Sequence, residues 1–158
     1  MKRWEHLAQL LAPRNPLLGA ELGVEKGKIS EFLLHTFPNL QMLCIDTWKD
    51  MDGIKAEAMQ RLAPFKERNR VAILQMDSLE AAKAAENEAF DFVFIDTTRT
   101  YEDTKANIDA WFDKVKIGGF LCGAGYSHKS TGVEKAVAES FNLLHVLKGA
   151  EEIWVVQR

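Results

Sequence analysis

The chain has 158 residues, 27% of them charged and 47% hydrophobic, with a formal net charge of −3. That is enough for one domain with its own core. It holds no basic block of the kind that marks nucleic-acid phosphate binding, and no apolar run near the ~18 residues a membrane span requires.

The N-terminal MKRWEHLAQLLAPRN carries charges inside its apolar part, so it reads as a helix and not a secretory signal. Trp4, Leu7, Ala8 and Leu11 fall at helical spacing, and Pro13 and Pro16 end the pattern, giving an N-terminal helix within residues 1–12. Cys44 and Cys122 both lie in apolar runs further on, which predicts buried thiols and a cytoplasmic address. Without internal repeat or linker, residues 1–158 read as a single domain.

Leu17 to Lys28, LLGAELGVEKGK, reads as a buried strand, a glycine-spaced turn and the first turn of a helix. Such a unit builds the ligand crevice of an open α/β sheet. A dinucleotide site wants G-x-G-x-x-G, because a pyrophosphate lies against a bare helix N-terminus. Counted from Gly23, the second glycine of that pattern is replaced by Glu25, and Glu21 adds another carboxylate. Two carboxylates repel a pyrophosphate and attract an ammonium group. S-adenosylmethionine carries one, together with a sulfonium and a ribose. The alternative is a plain strand–turn–helix whose glycines only form turns and caps.

A helix from about Lys28 to Phe37 follows, ended by Pro38, and LQMLCID is a nearly all-apolar second strand. It closes on Asp46, about 20 residues beyond the glycine turn, where an acidic residue meets ribose hydroxyls in this architecture. The competing role for Asp46 is to cap the next helix. That helix runs from Ile54 to Ala63 and resumes after Pro64; VAILQMD is strand three, closed by Asp77 and Ser78. The alanine-rich stretch to Glu88 is helical by propensity. FDFVFID is strand four, ending on Asp96, and Tyr101 to Phe112 is a helix. Asp91 sits at the opposite edge and suits turn or cap chemistry. Lys116–Gly119 reads as a turn into strand five, GFLCGAGY; Thr131 to Phe141 is a helix; LLHVLKG and EEIWVVQR form an antiparallel hairpin around Gly149. Strand–helix alternation through five strands predicts a doubly wound α/β sheet.

Three strand ends carry motifs that match one family. The segments GAELGVEKGK, LCIDTW, FDFVFIDTTRTYEDTKANIDAW, KIGGFLCGAGY and GVEKAV resemble class I S-adenosylmethionine-dependent methyltransferases. Among these they are similar to the small O-methyltransferase branch with FIDgDHsY and GHDY motifs. The resemblance implies a seven-stranded Rossmann-like sheet in the order 3-2-1-4-5-7-6, with the last strand antiparallel. It implies that Glu21, Gly23 and Gly27 meet the methionine part of the cofactor, Asp46 the ribose with Thr47 and Trp48 beside it, and Asp77 and Ser78 the adenine edge. Asp96 then lies near the methyl group.

The departures concern the chemistry. DgDH becomes Asp96-Thr97-Thr98-Arg99, and GHDY becomes Gly123-Ala124-Gly125-Tyr126. Asp96 with Thr98 is a poor oxygen set for a divalent cation, so no metal site is expected. The family's histidines are gone, and a base must be sought elsewhere. His128, after strand five, is either that base or a solvated loop residue. Arg99 either holds an anionic substrate or makes a surface ion pair. Tyr101 and Tyr126 are nearby substitutes, whereas His35 and His145 read as structural. The expectation is a metal-independent methyltransferase acting on a small molecule, with Asp96, Arg99 and His128 near the transfer point. The alternative is a cofactor-binding but non-catalytic module serving a partner protein. A nicotinamide enzyme is disfavoured by Glu25. The chain is minimal, so a substrate site must come from short loops, the N-terminal helix or a second subunit, which is compatible with a homo-oligomer.

Overall fold

The computed structural model describes residues 1–127, 131–142, 145–147 and 152–158. In chain order it contains α1 (Arg3–Leu11), β1 (Leu18–Leu22), α2 (Lys28–Thr36), β2 (Gln41–Asp46), α3 (Asp52–Lys66), β3 (Val71–Gln75) and α4 (Ser78–Ala84). Then come β4 (Phe90–Ile95), α5 (Tyr101–Trp111), β5 (Val115–Ala124), α6 (Thr131–Ser140), β6 (His145–Leu147) and β7 (Ile153–Gln157). One seven-stranded sheet results, in the order β3-β2-β1-β4-β5-β7-β6. The β1–β2, β1–β4, β2–β3 and β4–β5 pairs are parallel, and β7 runs antiparallel to β5 and β6. The expected order and the closing hairpin are both found; the hairpin connection around Gly149 lies outside the described residues.

Strand alternation splits the core into two layers. Phe92 and Phe94 of β4 point to the face covered by α1, α2 and α3, where they join Leu7, Leu33 and Leu62. Val93 and Ile95 point to the other face and pack with Ile108, Trp111 and Val137 of α5 and α6. A period of two along the strands and helical spacing along the helices account for both layers. Among the described residues no helix is long and apolar enough to cross a membrane.

Three expected boundaries differ. The helix after β3 stops at Ala84 and not near Glu88. Tertiary bonds override its propensity: the Glu88 and Ala89 amides donate to the Asp113 and Lys114 carbonyls, and Lys114 Nζ donates to the Ala85 carbonyl at 2.8 Å. Lys116–Gly119 is not a turn ahead of the fifth strand. These residues lie inside β5, where the register with β4 jumps from Phe90–Val115 to Phe92–Phe120. The extra residues sit opposite Asp91 as a bulge, with Gly118 at φ +83°. Finally, α3 is continuous to Lys66 with Pro64 inside its last turns, where one missing amide donor is tolerated.

Asp91 fastens the sheet's far edge. Its Oδ2 accepts from the Leu17 and Leu18 amides at 2.8 Å each, and its Oδ1 from Lys116 Nζ at 2.8 Å. Burial pushes its carboxyl up, but Lys116 and the two amides outweigh that and hold it below the usual range. Asp91→Ala strands a half-buried amide and should cost about 1.5–3 kcal/mol of unfolding free energy, read from urea midpoints. A loss below ~0.5 kcal/mol would show that the anchor is dispensable.

Candidate functional site

The loops after β1, β2, β3 and β4 open at the C-terminal edge of the sheet, where the strand order reverses between β1 and β4. They enclose a cleft of about 490 Å³ whose walls include Gly23, Asp46, Asp77, Ser78, Asp96 and Arg99. A smaller cavity of about 200 Å³ adjoins it, sharing Gly23, Glu25 and Asp96 and reaching Glu21, Arg3 and Lys28. Asp77 lines the larger of the two and Glu21 the smaller.

The β1 turn is shaped by two glycines. Gly23 has φ +86°, and a Cβ there would stand 2.1 Å from the Asp96 carbonyl oxygen, so only a bare backbone lets the turn pass the end of β4. Gly27 has φ +74° and starts α2. Glu25, Trp48 and Arg99 also adopt positive φ, +50°, +43° and +61°. Non-glycine residues rarely do so, and these three fall in the loops after β1, β2 and β4, three of the four that frame the cleft.

Asp46 ties two of those loops together. Its Oδ2 accepts from the Glu25 amide and its Oδ1 from the Trp48 amide, each at 2.8 Å. It is not a helix cap, because α3 begins only at Asp52 and Met51 takes the cap position. Thr47 lines the cleft beside it. Trp48 does not: it is buried to 1% exposure in the core, and its Nε1 donates to the Glu25 carbonyl at 2.8 Å. It props the turn from below and forms no part of the cleft wall.

Asp77 lines the cleft while capping α4, its Oδ1 accepting from the Leu79 and Glu80 amides. Ser78 is buried; its hydroxyl donates to Asn107 Oδ1 at 2.6 Å, and its carbonyl accepts from Trp111 Nε1 at 3.1 Å. Glu21 is buried to 1% exposure below the smaller cavity. The Ser30 hydroxyl donates to its Oε2 and lies 3.1 Å from Cys44 Sγ. Burial raises the Glu21 carboxyl to about 8, against the opposing bond from Ser30, and nearby Asp96 adds to the rise.

At the end of β4, Asp96 is gripped from two sides. Arg3 Nη1 donates to its Oδ2 at 2.6 Å, while Arg99 Nε and Nη2 donate to its Oδ1 at 3.0 and 2.8 Å. Asp103 accepts from the Thr97 hydroxyl, the Thr98 amide and Asn107 Nδ2. His128 lies outside the described residues. Tyr101 lies away from the cleft wall, donating to Glu139 at 2.6 Å, and Tyr126 packs against the α5–α6 core. His35 sits edge-on to Phe65 as a packing residue. Among the described residues no three His, Cys, Asp or Glu side chains converge into a cation-binding group.

Sequence reasoning missed Arg3, Ser30, Asp103 and Asn107. Only Asp103 had a local signal, the Thr100-x-x-Asp103 pattern of a helix start; Thr100 Oγ1 does accept from the Asp103 amide. The others are long-range partners.

The family described as a methyltransferase domain matches residues 20–123, about two thirds of the chain. Among curated proteins no sequence matches. Solved structures match across nearly the whole chain at low identity. A candidate caffeoyl-CoA O-methyltransferase from Staphylococcus aureus gives a TM-score of 0.79 at 16% identity, over 98% of this chain and 83% of that one. TomG, the O-methyltransferase of tomaymycin synthesis from Streptomyces achromogenes, solved with S-adenosylmethionine, gives 0.75 at 15% identity, over 97% and 78%. An O-methyltransferase from Bacillus cereus, solved with S-adenosylhomocysteine, gives 0.74 at 15%, over 99% and 80%.

Proposed function

The chain belongs to the methyltransferase-domain family, and from that premise we propose that its double cleft binds S-adenosylmethionine and serves metal-independent methyl transfer to a small molecule. The observation that carries this reading is that two cavities meet at shared walls, Gly23, Glu25 and Asp96, with Asp46 lining one and Glu21 the other. Asp46 offers a carboxylate to ribose hydroxyls, and Asp77 with Ser78 borders the place for an adenine. Glu21 and Glu25 suit an ammonium; Arg3 and Lys28, on the same smaller cavity, suit a carboxylate. Gly23 leaves the backbone bare where the ligand must cross the β1 turn. The residues present fit the cofactor.

When bound, S-adenosylmethionine supplies an electrophilic methyl group on a sulfonium. The chain's contribution is to hold cofactor and acceptor in line at Asp96, an effect worth up to about 7–11 kcal/mol of barrier in favourable cases. Two free, buried thiols, Cys44 and Cys122, are in keeping with a cytoplasmic address.

Calorimetric titration of the native protein tests the reading. A dissociation constant near ~10 µM for S-adenosylmethionine or S-adenosylhomocysteine, about −7 kcal/mol, is expected. Absence of binding at millimolar ligand would remove it. Binding without any methyl turnover would leave the non-catalytic module.

A further inference from the structure

The cleft wall around Asp96 presents the guanidinium of Arg99 among carboxylates. Both Asp96 oxygens already accept from guanidiniums, and Asp103 is equally engaged with Thr97, Thr98 and Asn107. Every oxygen of these two carboxylates thus already faces at least one protein donor. Arg99 differs from Asp96 in exposure: its side chain is 44% accessible and lines the cleft, against 10% for Asp96. Asp96 engages its Nε and Nη2, and among the described residues Nη1 has no hydrogen-bond partner. A planar guanidinium held from behind by a carboxylate is oriented to receive a second one from the front.

The opposite loop makes room for it. Gly125 has φ +79°, and a Cβ there would stand 3.0 Å from Arg99 Cδ and 3.5 Å from its Cγ and Nε. A side chain at 125 would therefore meet both backbone strain and the arginine. The bare position 125 thus leaves space for the Arg99 side chain, whose own backbone is left-handed at φ +61°.

We propose, resting on the methyltransferase reading above, that the methyl acceptor is a carboxylate and the product a methyl ester. A carboxylate is already anionic at neutral pH. One oxygen pairs with Arg99 while the other forms the O–CH₃ bond. The methyl–sulfur bond breaks, and its electron pair returns to sulfur as a thioether. An anion and a sulfonium become a neutral ester and a neutral thioether, so no proton is released and no base is required. A hydroxyl acceptor would release one proton per turnover and require something to receive it.

The test supplies the native protein with S-adenosylmethionine tritiated in its methyl group and a low-molecular-mass cell extract, followed by mild alkali. Esters hydrolyse there, whereas methyl ethers and methylamines do not. The expected result is that transferred tritium becomes volatile as methanol, and that lightly buffered reactions release no proton per S-adenosylhomocysteine formed. Arg99→Gln should raise KM for the acid at least about tenfold, with the affinity for S-adenosylmethionine kept within about twofold. Alkali-stable label, or one proton released per turnover, would overturn the proposal. So would cofactor binding without transfer to any acid, which leaves the cofactor reading standing. Failure to bind S-adenosylmethionine would instead remove the reading on which the proposal rests.

Discussion

Asp46→Ala should weaken S-adenosylmethionine binding by at least about 100-fold, or ~2.7 kcal/mol, in the same calorimetric titration. A carboxylate that accepts two ribose hydroxyls makes two charge-assisted hydrogen bonds, each worth about 1.5–3 kcal/mol. The variant loses these and a second effect adds to them. Asp46 holds the Glu25 amide on the β1 turn and the Trp48 amide on the β2 loop, both at 2.8 Å. Glu25 and Trp48 sit at φ +50° and +43°, a conformation that persists only while surrounding bonds impose it. Without Asp46 the turn can relax and the cleft loses its preorganised shape. The fold itself should survive, because Trp48 stays packed in the core and keeps its bond to the Glu25 carbonyl. Asp46→Asn separates the two contributions, since one amide oxygen can still hold one loop while the charge is gone. Unchanged affinity in a folded Asp46→Ala protein would sink the ribose assignment.

Asp46, Asp77 and Asp96 were legible because each ends an apolar run. Once periodicity says that those runs are parallel strands, the carboxylates must gather at one edge of the sheet. Gly23 was legible for a related reason: a strand that turns sharply into a helix beside another strand end leaves no space for a side chain. What stayed hidden was which way residues face and what they meet across the fold. The family resemblance set Trp48 beside the ribose with Asp46 and Thr47; two residues on from Asp46, its ring is buried in the core instead. Arg3 reaches Asp96 across 93 positions of sequence, and nothing in the MKRWEH segment announces it. Ser30 looks like an ordinary helical serine until the sheet brings Glu21 and Cys44 to it. The Lys116–Gly119 segment misled for a different reason. Paired glycines signal a turn locally, but here they accommodate a bulge, with Gly119 pressed against the Asp91 carbonyl. Local chemistry identifies elements, and tertiary contact decides partners.

Through Glu21, stability and S-adenosylmethionine binding should both depend on pH. Burial lifts its carboxyl from 4.5 to about 8 in the folded chain, so near neutrality it is mostly protonated and uncharged. In the unfolded chain the same group has lost its proton above about 4.5. Between these two values the folded state binds more protons than the unfolded one, so this group makes stability fall as pH rises. The slope approaches about 1.4 kcal/mol per pH unit and levels off above the folded value. Glu21→Gln removes the titration and keeps an oxygen to accept from Ser30. Its urea stability should therefore lack this slope, and the gap between the two proteins should widen in favour of the variant up to about pH 8. Ligand binding should show the reverse dependence. An ammonium placed beside Glu21 favours its charged form, so binding expels a proton and affinity climbs with pH by up to about tenfold per unit below the folded value. Titrations in buffers of different ionisation enthalpy measure that proton directly. The native protein should release most of one proton per S-adenosylmethionine bound near pH 7, and Glu21→Gln none. Equal proton release by the two proteins would show that the cofactor's ammonium does not reach Glu21, and would move its place to Glu25 on the rim.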